Sequence, residues 1–246
     1  MQKLLTIAML STLVGVSALA KQPKRSLDDT TRVVISSGEW RLIGDLTLPS
    51  SEGPSPAVLL LNKAAGNRAS YEPMAEQLVK RGIASLRLDL RGHGESTNKG
   101  EFVPGEGADF SLIFEAETDV AAALSWLRSH ERIDAKRIAI VGASYSGEEM
   151  AEAGRRGGLE SAYVALSPGS LGDESIGAID GGGKPFLLVV ARDDPFLKEI
   201  TAETQKRSQT AEVWILPGAS HATDMFESQA DLAERVAVWL FHRLSR

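Results

Sequence analysis

Residues 137–147 read RIAIVGASYSG, and the fold turns on that stretch. RIAIVG is a short apolar run typical of a strand buried on both faces. From Ser144 onward, SYSGEEMAEAGRRGG reads as a helix. So tight a strand-to-helix turn strains its central residue, and it tolerates only small residues two before and two after. Centred on Ser144, the flanks are Gly142 and Ser146; centred on Ser146, they are Ser144 and Glu148. A glutamate cannot be the small flank, so Ser144 is the candidate nucleophile. Gly147 then lets the helix pack closely on the sheet. The plain alternative is a glycine-serine turn with an N-cap serine.

Outward from this turn, apolar runs alternate with helical patterns. AVLLLN (57–62), IASLRLDL (83–90), SAYVALS (161–167), PFLLVVA (185–191) and AEVWILP (211–217) read as strands. SYEPMAEQLVKRG (70–82), FEAETDVAAALSWLRSHE (114–131), PFLKEITAETQKRS (195–208) and SQADLAERVAVWLFHRLS (228–245) read as helices. Before them, RVVISSGEWRLIGDLTLPS (32–50) alternates apolar and polar residues around a Ser-Ser-Gly turn, which predicts an antiparallel hairpin. The predicted class is α/β, with a mostly parallel central sheet flanked by helices on both faces. Sites in such sheets lie at the carboxyl ends of the strands.

A serine nucleophile needs a base and an orienting acid. The chain has four histidines. His130 and His242 sit at helix ends and read as surface residues. His93 lies in RGHGES, a turn read as structural together with Arg91. His221, in LPGASHATD, follows a strand at the required edge. For the acid, FLLVVARDDPF offers Asp193 and Asp194. Either gives the chain order serine, aspartate, histidine.

The bulk composition excludes several other chemistries. There is no cysteine, so disulfides and thiolate catalysis are ruled out. Net charge is −6 with no basic face, so nucleic-acid binding has no electrostatic support. No HExxH pair or carboxylate cluster suggests a metal, and neither RGHG nor GGGK meets the requirements of a nucleotide loop. No cofactor is expected. At the N-terminus, MQK, an apolar run and Ala18–Ala20 form the pattern of a cleaved signal over 1–20. A flexible arm is expected over 21–31 and the folded domain over 32–246. The expected product is exported, periplasmic or secreted, with no membrane span once the signal is removed.

From about Val33 to the C-terminus the chain resembles an α/β-hydrolase. VGASYSG resembles the nucleophile elbow, LRLDLRGHGES the segment after a family strand, VVARDDPF the Gly-x-x-Asp turn, and LPGASHATD the histidine loop. The resemblance places the acid at Asp194, with Ala191 where the family has glycine. It implies a triad of Ser144, Asp194 and His221, and an oxyanion hole from the backbone N–H groups of Ala64 and Tyr145. The family's usual His-Gly is replaced by Asn62 and Lys63. Lys63 would either face the site and favour an anionic substrate, or be solvated. The segment PGSLGDESIGAIDGGGK (168–184) is too short for a cap domain and too glycine-rich for a stable helix. Phe102, Phe110 and Leu112 would line an acyl pocket or pack on the sheet. The implied branch is capless, like dienelactone hydrolases and small esterases. The expected activity is hydrolysis of small-molecule carboxylic esters through an acyl-enzyme. The alternatives are peptide or thioester cleavage by the same groups, or a non-catalytic binding protein of this fold.

Overall fold

The computed structural model describes residues 30–158, 160–195, 200–202, 204, 206, 208 and 210–245. The signal segment and most of the expected arm lie outside these residues, as does part of the helix expected over 195–208.

Eight strands form one sheet: β1 Thr30–Ser37, β2 Trp40–Thr47, β3 Ser55–Leu61, β4 Ala84–Leu88, β5 Ile133–Ala143, β6 Ala162–Leu166, β7 Phe186–Ala191 and β8 Ala211–Leu216. Their order is β1-β2-β4-β3-β5-β6-β7-β8. The predicted hairpin is β1–β2, with Ser37 paired to Trp40 across a two-residue turn. Gly38, at φ +57°, takes the left-handed conformation that such a turn demands. β1 begins at Thr30, two residues before the expected domain start. β2 pairs antiparallel with β4, and every pairing from β4 through β3 to β8 is parallel.

Alternate residues of the central strands feed two cores, as a sheet covered on both faces requires. Leu59, Leu61, Ile138 and Ile140 join the core under α3 (Glu117–Ser129), α4 (Ser146–Gly157) and α5 (Asp173–Gly181). Val58, Leu60, Ala139 and Val141 join the core under α1 (Glu72–Val79) and the last helix, Leu232–Leu244. In α3, Val120, Leu124 and Leu127 form the buried stripe that its helical spacing predicts. Two short helices also occur: α2 (Ser111–Phe114) before α3, and α6 (Met225–Ser228) before the last helix, α7; residues 200–202 are helical as well.

One expectation fails. The glycine-rich segment between β6 and β7 does form a helix, α5. Packing outweighs the glycine penalty there: Ile176 and Ile179 are buried, and Asp173 and Glu174 face the positive N-terminal end. The Glu148 carboxylate accepts the Gly172 N–H at 2.8 Å, anchoring the helix start. At nine residues α5 is too small to cap the site.

Candidate active site

Ser144 lies between β5 and α4 with φ +57°, a left-handed conformation rare for a residue with a side chain. Its N–H donates to Leu166 O at 2.9 Å, which ties the elbow to β6. The small flanks are steric necessities. A Cβ on Gly142 would sit 2.4 Å from the Ser146 carbonyl oxygen, and one on Gly147 would sit 2.9 Å from Pro168 Cβ. Ser146 is fully buried, and its hydroxyl accepts the Ala143 N–H at 2.7 Å. The same hydroxyl lies 3.0 Å from Ala143 O and 3.2 Å from Leu61 O, either of which can take its proton. Ser146 therefore ties the ends of β3 and β5 together. Gly142→Ala is expected to destabilise the fold by about 2–4 kcal/mol, because backbone must move to admit the methyl group. Urea unfolding measures it.

His221 and Asp194, 27 residues apart in the chain, meet at the carboxyl edge: Nδ1 lies 2.8 Å from Asp194 Oδ2. Asp194 is buried, whereas Asp193 is exposed and donates its backbone N–H to Gly218 O. The imidazole is about one-third exposed and the Asp194 side chain 1% exposed, so the carboxylate supports the ring from the protein side. Ala222, after the histidine, is buried at φ +54° and turns the chain into a short 3-10 turn, Ala222–Asp224.

The two expected oxyanion donors sit on neighbouring loops. Tyr145 precedes α4, so its amide is among the first-turn N–H groups that have no partner within a helix. Ala64 lies on the loop after β3 and is half-buried. Asn62, fully buried, shapes that loop: its amide donates to Lys63 O at 2.9 Å, and its Oδ1 accepts the Leu90 N–H at 2.9 Å. The Lys63 ammonium bonds Asp224 Oδ2 at 2.5 Å, bridging the loop after β3 to the loop that carries His221. Gly66 leaves room for the lysine stem, since a Cβ there would lie 3.0 Å from Lys63 Cγ.

RGHGES is a structural turn, as read. The Arg91 guanidinium binds Asp119 and Glu115 at 2.8 Å each, and Asp89 accepts the Arg68 and Glu95 backbone N–H groups. His93 has a further consequence. Burial lowers its pKa, keeping the ring neutral, and the Nδ1–Arg91 O contact of 2.8 Å assigns its proton to Nδ1. The ring stacks against both Tyr145 and Phe102, with centroids 5.5 and 5.3 Å away. A cavity of about 340 Å³ opens here, lined by Ala65, Gly66, His93, Phe102 and Val103 among others. Phe102 lines this cavity while largely buried. Leu112 packs against Gly92, and Phe110 is 54% exposed.

Glu149, five residues past Ser144, has no signal in the sequence that marks it. It is 7% exposed, and burial pushes its carboxyl up to about 7 from 4.5. With the folded pKa above the unfolded one, the neutral form contributes stability that is fully present below pH 4.5 and is lost as the pH rises through 7. Glu149→Gln, which cannot ionise, is expected to leave the melting temperature unchanged at about pH 4 and raise it at about pH 8. Thermal circular dichroism at both pH values tests this. Among the described residues, no group of three or more His, Asp or Glu side chains is arranged to hold a metal ion.

Comparison with known proteins gives three kinds of match. A family model described as X-Pro dipeptidyl-peptidase (S15 family) matches residues 38–183. Two uncharacterized proteins of Mycobacterium tuberculosis, from two strains, are each 32% identical over 113 residues; the match spans 46% of this chain and 36% of each relative. Among solved structures, Est1E of Butyrivibrio proteoclasticus, with bound ferulic acid, superimposes at TM-score 0.70 with 18% identity, over 87% of this chain and 100% of that one. Dienelactone hydrolase of Anabaena variabilis reaches 0.67 with 22% identity, over 88% and 99%. A dienelactone hydrolase-like promiscuous phosphotriesterase from metagenomic libraries reaches 0.66 with 22% identity, over 87% and 98%.

Proposed function

The chain belongs to the X-Pro dipeptidyl-peptidase (S15) family and has the α/β-hydrolase fold, and from that premise we propose that it is a serine hydrolase cleaving small-molecule carboxylic esters through an acyl-enzyme. The contact between His221 Nδ1 and Asp194 Oδ2 carries this reading. A ring nitrogen facing a carboxylate keeps its proton, which leaves Nε2 as the basic nitrogen. In this scheme Nε2 takes the Ser144 proton as Oγ attacks the ester carbonyl. Asp194 stabilises the imidazolium. The Tyr145 and Ala64 amides hold the oxyanion, each contributing about 3 kcal/mol of transition-state stabilisation. Collapse of the intermediate expels the alcohol, which takes the proton back from Nε2. Water, deprotonated by the same nitrogen, then attacks the acyl-Ser144 carbonyl and releases the acid.

An ester is favoured over an amide by the structural neighbours, which include a dienelactone hydrolase and an esterase of Pyrococcus furiosus. The family description supports a second reading, cleavage of a peptide bond after an X-Pro pair. Export after removal of residues 1–20 is part of the proposal. Among the described residues, no helix is long and apolar enough to cross a membrane.

The test combines a fluorophosphonate probe with two substrate panels, p-nitrophenyl esters and X-Pro p-nitroanilides. Labelling of the wild-type chain, loss of labelling in Ser144→Ala, and faster turnover of the esters are expected. Faster turnover of the anilides would establish the peptidase reading. An unlabelled, inactive wild-type chain would leave a binding protein of this fold.

A further inference from the structure

Among the described residues, three of the six exposed large hydrophobic side chains crowd into one short segment: Val103 (64% exposed), Phe110 (54%) and Phe114 (71%). They are connected to the site. Tyr145, next to the nucleophile, stacks on His93, and His93 on Phe102. Phe102 meets Phe110 edge-on at 6.1 Å, and Phe110 stacks on Phe114 at 6.1 Å. A continuous row of rings therefore runs from the elbow, along the cavity beside Ala65 and Gly66, to the surface. Buried rings need no further account, but exposed ones standing together mark a contact surface.

Charge selects the occupant. Residues 101–114 carry Glu101, Glu106 and Asp109 and no lysine or arginine, and all three carboxylates are exposed. Anionic lipid surfaces and anionic substrates are repelled there. An uncharged apolar group entering the cavity would continue outward onto the exposed rings. Resting on the hydrolase reading above, we infer that Val103, Phe110 and Phe114 form a specificity lip that receives the apolar body of an uncharged ester, aliphatic or aromatic.

Phe110→Ser/Phe114→Ser and, separately, Val103→Ser test this in the full chain; all three positions are exposed, so folding should be preserved. The substrates are p-nitrophenyl octanoate, which extends the acyl side, and 2-naphthyl acetate, which extends the alcohol side, with p-nitrophenyl acetate as reference. In the double variant, kcat/KM for at least one extended ester should fall about tenfold through KM, while the acetate stays within about twofold. Val103→Ser should move the same ratio in the same direction. Unchanged ratios in both variants would overturn the lip. So would a wild-type dimer that becomes monomeric in the double variant by sedimentation velocity, since the surface would then serve a second copy. Binding of the uncharged fluorescent probe N-phenyl-1-naphthylamine reads the lip without chemistry. It should weaken at least about fivefold in the double variant, and equal binding overturns the inference. Failure of p-nitrophenyl acetate hydrolysis and fluorophosphonate labelling with probe binding intact would instead sink only the hydrolase reading.

Discussion

Replacing Ser144 with alanine is expected to lower kcat by on the order of 10⁶-fold, because loss of the nucleophile disables the whole serine, histidine and aspartate unit. Folding should survive. The elbow is held by the Ser144 N–H to Leu166 O and by the Ser146 hydroxyl, and neither depends on Ser144 Oγ. Ser144→Gly sharpens the point. Glycine adopts φ +57° freely, so that variant should be equally inactive but more stable, by about 1 kcal/mol. Greater stability with total loss of activity is what a strained catalytic residue predicts. Stopped assays and urea unfolding on the two variants give both numbers. A Ser144→Ala protein retaining even a hundredth of wild-type activity would remove Ser144 from the mechanism.

Asp194→Asn is expected to lower kcat about 10⁴-fold, the loss seen when an amide replaces the orienting carboxylate of a serine protease. The amide can donate to Nδ1, which moves the ring proton to Nε2 and blocks the base. KM should change little, because the carboxylate is buried behind the ring. Asp193→Asn is the control. Its side chain is exposed, so its kinetics should stay within about twofold of wild type. Equal losses from the two substitutions would mean that the turn, not the Asp194 carboxylate, is what matters.

These residues differ in how plainly the chain announces them. Ser144 could be told from Ser146 because the elbow is a local object: its geometry involves five consecutive residues, and glutamate at 148 rules out the other centring. The alternation of strands and helices is similarly local and placed both cores. Asp194 needed the family turn, since two adjacent aspartates look alike until one is buried. The rest depends on distant contacts. The Lys63–Asp224 bridge spans 161 positions, and nothing near Lys63 indicates it. The row from Tyr145 to Phe114 joins the elbow to the long connection between β4 and α2 and to α2 itself, so Phe102 and Phe110 could be named but not connected. Helix α5 was misjudged because glycine content measures an isolated helix, while Ile176 and Ile179 are held by the core.

The lysine bridge bears on how the protein behaves in different media. The sheet positions the roots of the loop after β3 and of the loop that carries His221, and the Lys63 ammonium and the half-exposed Asp224 carboxylate add a surface link between them. Dissolved ions compete for such a pair and shorten its reach to about 8 Å at physiological ionic strength. On the proposed mechanism, raising the salinity is therefore expected to loosen one link between the loop that carries the base and the loop that would hold the oxyanion.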